Sequence, residues 1–196
     1  MVSGTVPELG DALLVVDVQN DFLPGGSLAV PEGDAVVPAL NRYIALFARS
    51  NRPVYASRDW HPPHHCSFRE QGGPWPPHCL AGSRGAAFAS DLALPPSVTV
   101  ISKADTPERD AYSAFSGTDL DARLKVAEVR RLFVGGLATD YCVLNTVTDA
   151  LALGYAVMLL QDAVRAVDAV PGDGEKALAE MRRRGACPVT LEELTA

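Results

Sequence analysis

No apolar run in this chain is long enough to cross a bilayer, so a membrane-spanning role is not expected. Met1-Val2-Ser3-Gly4 has neither the basic region nor the apolar core of a secretory leader. Cysteine is scarce: Cys66, Cys79, Cys142 and Cys187 contain no C-x-x-C pair and form no dense framework. Reduced thiols in a cytoplasmic protein are the expectation. Basic residues are outnumbered, 17 Lys and Arg against 24 Asp and Glu, and the formal net charge of −7 argues against nucleic acid as a partner. Two phosphate-cradling patterns, G-x-G-x-x-G and G-x-x-x-x-G-K-[ST], are missing as well. A non-catalytic nucleotide-binding protein therefore has no signature here.

What is present is an ordinary globular composition, 47% hydrophobic and 21% charged over 196 residues, with no repeat and no credible internal boundary. One domain, 1–196, is expected. Short apolar runs at 12–16, 53–57, 98–101, 131–134 and 156–160 read as strands, with a last short one at 186–190. Helical spacing predicts helices over 34–48, 120–126, 140–154 and 175–184, the first capped by Asp34. Strands alternating with helices give an α/β fold, a parallel sheet with helices on both faces. Residues 62–90 are rich in proline, glycine and histidine and show no period. So long an unpatterned stretch inside one domain is usually functional.

In such sheets ligands bind beyond the carboxyl ends of the strands. Asp17 follows the first strand, Asp59 and His61 the second, and Lys103 the third. Cys142 follows the fourth, past Gly135-Gly136 and at the opening of a helix. A helix start offers unpaired N–H groups and a positive dipole end, which stabilise a thiolate or an oxyanion. Any one of these residues has an ordinary structural explanation. Chemistry-bearing side chains at four successive strand ends point to a site.

Five segments resemble the nicotinamidases, a branch of the isochorismatase-like cysteine hydrolases. They are Val16-Asp17-Val18-Gln19-Asn20-Asp21-Phe22, Asp59-Trp60-His61-Pro62, Trp75-Pro76-Pro77-His78-Cys79, Lys103, and Gly136-Leu137-Ala138-Thr139-Asp140-Tyr141-Cys142. The similarity runs in register from Leu13 to Arg184. It implies a three-layer α/β/α fold with a mostly parallel, Rossmann-like sheet of about six strands. It also implies that the unpatterned stretch is a metal-binding insertion around 59–90.

For chemistry, the resemblance implies Cys142 as nucleophile, Asp17 as general base then acid, and Lys103 as their cationic partner. Lys103 would keep Asp17 ionised and favour the thiolate. A cis peptide at Leu137–Ala138 and an oxyanion site on the N–H groups of Ala138 and Cys142 are implied too. The reaction would convert nicotinamide to nicotinate and ammonia in NAD salvage, with pyrazinamide as a further substrate. Another small amide or a vinyl ether is the alternative within the superfamily.

Asp59, His61 and His78 are the implied metal ligands. One carboxylate and two imidazoles suit Zn²⁺, Mn²⁺ or Fe²⁺ and do not choose among them; Zn²⁺ is the first expectation. His65 or Glu70 is the candidate fourth ligand, and His64 reads as solvent-facing. Phe22, Trp75 and Tyr112 match positions lining the substrate pocket, where flat aromatic walls suit a pyridine ring. Asn20 and Asp21 read as structural, holding their loop by local hydrogen bonds. Cys187 reads as buried, and a homo-oligomer is left open.

Overall fold

The computed structural model describes residues 7–195. Its strands are β1 (Asp11–Val16), β2 (Val54–Asp59), β3 (Thr99–Lys103), β4 (Arg131–Leu137), β5 (Ala156–Arg165) and β6 (Cys187–Val189). They form one sheet in the order β3-β2-β1-β4-β5-β6, and every neighbouring pair is parallel. The helices are α1 (Val36–Arg49), α2 (Leu120–Val126), α3 (Leu144–Ala152), α4 (Asp173–Arg183) and α5 (Leu191–Thr195). None of them is long and apolar enough to cross a membrane.

The side-chain alternation of β1 explains the layers. Leu13 and Val15 enter the core shared with α1, whereas Ala12, Leu14 and Val16 enter the core shared with Leu120 and Leu124 of α2 and Val147 of α3. On α1, Val36, Val37, Leu40, Tyr43, Ile44 and Phe47 recur every three or four residues and are all buried. Each such side chain contributes roughly 1.5–3 kcal/mol on burial. The helix ends where Asn51 turns left-handed at φ 52°. Gly136 lets β4 lie against β1. A Cβ there would stand 2.1 Å from the Val16 carbonyl oxygen, and φ is +127°.

Strand order reverses between β1 and β4, so the chain leaves their carboxyl ends in opposite directions and opens a crevice. Asp17 follows β1 and Cys142 follows β4, one on each side of it.

The structure departs from the sequence pattern at several points. β2 and β3 run on to Asp59 and Lys103, which face one another in register. Both are therefore strand residues rather than loop residues. β5 runs to Arg165 past a register shift opposite Val134 and Gly136. Asp34 caps nothing, because it lies inside a 3₁₀ turn, Gly33–Ala35, that leads directly into α1. The expected helix over 140–154 begins as a π-turn, Thr139–Val143, before α3. Cys187 is exposed, since only Val189 of the short edge strand β6 is buried. α5 had no counterpart in the expected elements.

Candidate active site

Cys142 sits on the π-turn after β4. The neighbouring amides of Tyr141 and Val143 both donate to the Ala138 carbonyl, at 3.1 and 3.0 Å. The Leu137–Ala138 peptide preceding this turn is cis. Asp17, directly after β1, adopts a left-handed φ of 50° and is fully buried. Its Oδ1 accepts a hydrogen bond from Ser57 Oγ at 2.6 Å. Its Oδ2 lies 2.9 Å from Lys103 Nζ as an ion pair, yet has no well-aligned hydrogen bond. A buried carboxylate oxygen with a spare lone pair is an acceptor in waiting.

Lys103 is the hub. Besides Asp17, its ammonium reaches Asp59 Oδ1 at 2.5 Å, the Ala111 carbonyl at 3.0 Å and Cys142 Sγ at 3.6 Å. Burial alone would lower its pKa, but Asp17 and Asp59 outweigh that and hold it well above the ordinary lysine value. Burial raises Asp17 above the usual carboxylate range, with Lys103 pulling against the rise and Asp59 adding to it. Burial likewise pushes the Cys142 thiol well above its usual value. Lys103 opposes the shift, and the charges of Asp17 and Asp59 reinforce it. Burial thus works against the thiolate expected from a helix start and a lysine, while Lys103 favours it.

Beside this trio stands a second constellation. Asp59, His61 and His78, all buried, bring one ligand atom each to within 4.8 Å of one another. His61 Nδ1 meets the His78 carbonyl at 2.9 Å, and His78 Nδ1 meets the Pro76 carbonyl at 2.8 Å. A carbonyl only accepts, so each Nδ1 carries a hydrogen, and Nε2 is the ring atom left to ligate. Burial depresses the His61 pKa to about 3, so its ring is neutral. Two imidazoles held at Nδ1 by carbonyls, beside a buried carboxylate, fit a divalent metal ion.

His65 and Glu70, the candidate fourth ligands, do not complete this group. His65 Nε2 points to the Arg109 carbonyl at 3.1 Å, and Nδ1 accepts from Ser67 Oγ at 2.8 Å. Both ring nitrogens are therefore occupied, although His65, His61 and Asp110 also lie within ligand reach of one another. Glu70 is exposed on the short turn Arg69–Gln71 and takes part in no such cluster among the described residues. His64 is exposed.

Phe22, Trp75 and Tyr112 line one pocket together with Cys142, Ala138, Asp59, His61 and His78. Trp75 Nε1 donates to Tyr112 Oη at 3.0 Å, and Tyr141 meets the Trp75 ring edge-on at 5.2 Å. These rings, the Cys142 sulfur and the two histidines thus share one pocket.

Other pocket residues escaped the sequence reading. Tyr141 lies within a recognised motif, and its neighbour Cys142 drew the attention. Leu28, Val30 and Val167 come from loops without periodic signal. Val167 is brought in by Asp140, whose carboxylate accepts from the amides of Val167 and Asp168, both at 2.9 Å. Ser57 and Gln19 also went unnoticed, though a polar residue buried next to a strand end is a usable signal. Asn20 and Asp21 do hold their loop, Asp21 locally through Ser27 N–H, which donates to its Oδ1 at 3.3 Å, and both residues to distant segments. Asn20 Nδ2 donates to Arg84 O at 2.8 Å, and Asp21 Oδ2 accepts from Cys79 N at 2.7 Å.

The chain is similar to several known proteins. The isochorismatase domain matches residues 11–193. The nicotinamidase of Escherichia coli (strain K12) is 42% identical, over 93% of this chain and 95% of its own. The pyrazinamidase of Pyrococcus horikoshii, solved in complex with zinc, is 48% identical and superposes with a TM-score of 0.90 over 93% of this chain and 99% of that one. PnC1 from L. infantum, solved in complex with nicotinate, is 38% identical with a TM-score of 0.87, over 96% of both chains.

Proposed function

The chain belongs to the isochorismatase family, and from that premise we propose that it is an amidohydrolase converting nicotinamide to nicotinate and ammonia. The observation that carries this reading is the reach of Lys103, one buried ammonium meeting Asp17 and also Asp59 and Cys142, which line the aromatic pocket. A carboxylate base, a thiol and an apolar wall for a flat ring are what hydrolysis of an aromatic amide requires.

In the first half-reaction Asp17 accepts the thiol proton as Cys142 Sγ attacks the amide carbon. The tetrahedral oxyanion is held by the N–H groups of Ala138 and Cys142. Removing one such donor typically costs on the order of 10²–10³ in rate. Asp17 then returns its proton to the nitrogen, the C–N bond breaks, and ammonia leaves a thioester on Cys142. In the second half-reaction Asp17 deprotonates water, which attacks the thioester. Asp17 returns that proton to the Cys142 sulfur as the C–S bond breaks, and the acid product leaves as its carboxylate, its proton passing to solvent. Lys103 stays protonated throughout and offsets the charge that Asp17 and the oxyanion carry.

Asp59, His61 and His78 would hold the divalent metal ion, with Zn²⁺ the first candidate, as in the zinc complex of the P. horikoshii protein. Bound there, the ion supplies a Lewis acid for a ring nitrogen of the substrate. Pyrazinamide, flat and bearing ring nitrogens, is a further substrate in this reading. The product nicotinate returns to NAD by salvage. The four free thiols support a cytoplasmic location.

Ammonia release from nicotinamide, pyrazinamide and benzamide tests the assignment. Turnover of the first two and poor turnover of benzamide, which lacks a ring nitrogen, is expected. Equal turnover of benzamide would contradict the role given to the metal group, and turnover of none would contradict the substrate class.

A further inference from the structure

We propose that Gln19 is the positioning residue for Asp59, and that its side-chain amide sets where this carboxylate stands between Lys103 and the metal group. The inference rests on the metal site assigned above.

The β1–β2 ladder ends at Val16 and Ser57, so the backbone of Asp59 has no strand partner on its β1 side. The Gln19 amide takes that partner's place. Its Oε1 accepts from the Asp59 N–H at 2.8 Å, and its Nε2 donates to the Asp59 carbonyl at 2.8 Å. The second Nε2 hydrogen goes to the Ala86 carbonyl at 2.9 Å, in the loop that follows His78. Gln19 is fully buried, and these bonds satisfy the amide. No other side-chain type of this length offers both an acceptor and two donors. The grip falls on the backbone of the residue whose carboxylate meets Lys103 on β3 and joins His61 and His78.

Asn20 provides the contrast. It ties the same loop at Arg84 through one exposed hydrogen bond and does not touch Asp59. A generic loop tether and a positioning residue can therefore be told apart.

Gln19→Glu keeps the acceptor for the Asp59 N–H and loses both donors. Gln19→Met keeps only the bulk. The experiment measures Zn²⁺ affinity by chelator competition and the visible spectrum of the Co²⁺ form. Thermal unfolding of the metal-free proteins is followed alongside, for the parent, both Gln19 variants and Asn20→Ala. Both Gln19 variants should bind Zn²⁺ about 10–100-fold more weakly with an altered Co²⁺ spectrum, as for loss of an outer partner of a ligand. Asn20→Ala should bind like the parent. Parent-like affinity and spectrum in either folded Gln19 variant would overturn the proposal, and so would equal weakening in Asn20→Ala. A parent protein that binds neither ion would instead remove the metal site itself, and this inference with it.

Discussion

Asp59 and Lys103 stand opposite one another in register at the carboxyl ends of β2 and β3, with the Lys103 ammonium 2.5 Å from Asp59 Oδ1. The same ammonium is 2.9 Å from Asp17 and 3.6 Å from Cys142. One strand register thus joins the metal group to the nucleophile. Whatever moves Asp59 changes the charge balance around the thiol.

Lys103→Met should leave Asp17 and Asp59 as two buried carboxylates without a counter-ion. Breaking a buried pair in this way costs about 3–5 kcal/mol. The deficit should be greatest at neutral pH and shrink in mild acid. Without Lys103 the folded pKa of Asp17 rises further above its unfolded value, so protonation favours the folded state. Urea denaturation of parent and variant at pH 7 and pH 5 checks this. A deficit that grows in acid would contradict it.

Ser57→Ala removes a hydrogen bond that favours the Asp17 carboxylate. The folded pKa of Asp17, already raised by burial, should rise further. Activity requires the ionised form, so the acid limb of the kcat/KM profile should move to higher pH. A limb that stays in place would show that another group governs it.

Trp75→Ala opens the aromatic pocket and removes the donor to Tyr112. KM for nicotinamide should rise about tenfold or more while kcat falls much less, because stacking serves ground state and transition state alike. Trp75→Phe, which loses the hydrogen bond and keeps a ring, should lie between. Steady-state kinetics decides, and an effect confined to kcat would place Trp75 in the chemistry instead.

Chelation should abolish most turnover without unfolding the protein, since the ligands sit on β2 and on a loop held by Gln19, Asn20 and Asp21. Added Zn²⁺ should restore activity in the parent and not in His78→Ala. Recovery in that variant would show that His78 is dispensable to the ion.

The layout of strands and helices was legible because the pattern is local. β1 is apolar from Ala12 to Val16 as a doubly covered strand is expected to be, and α1 repeats its apolar residues at helical spacing. Asp17, Lys103 and Cys142 were legible because strand ends concentrate chemistry in a parallel sheet. What escaped depends on contacts between distant segments. Gln19 reads as one polar residue among several until the loop at Ala86 is folded over it. His65 looks like a ligand in sequence, and its two ring partners, Ser67 and Arg109, declare themselves only in space. Cys187 looked buried because its run resembles a strand, and the edge position of that strand leaves it exposed. The upward push on the Cys142 thiol comes first from its burial, which no linear motif displays.

The most direct test is ammonia release from nicotinamide by zinc-loaded parent protein and by Cys142→Ala, with circular dichroism confirming that both are folded. Ready turnover by the parent and a loss of roughly a thousandfold or more in the variant is the predicted result. A folded Cys142→Ala protein that releases ammonia within tenfold of the parent rate would contradict the cysteine thioester on which the account stands.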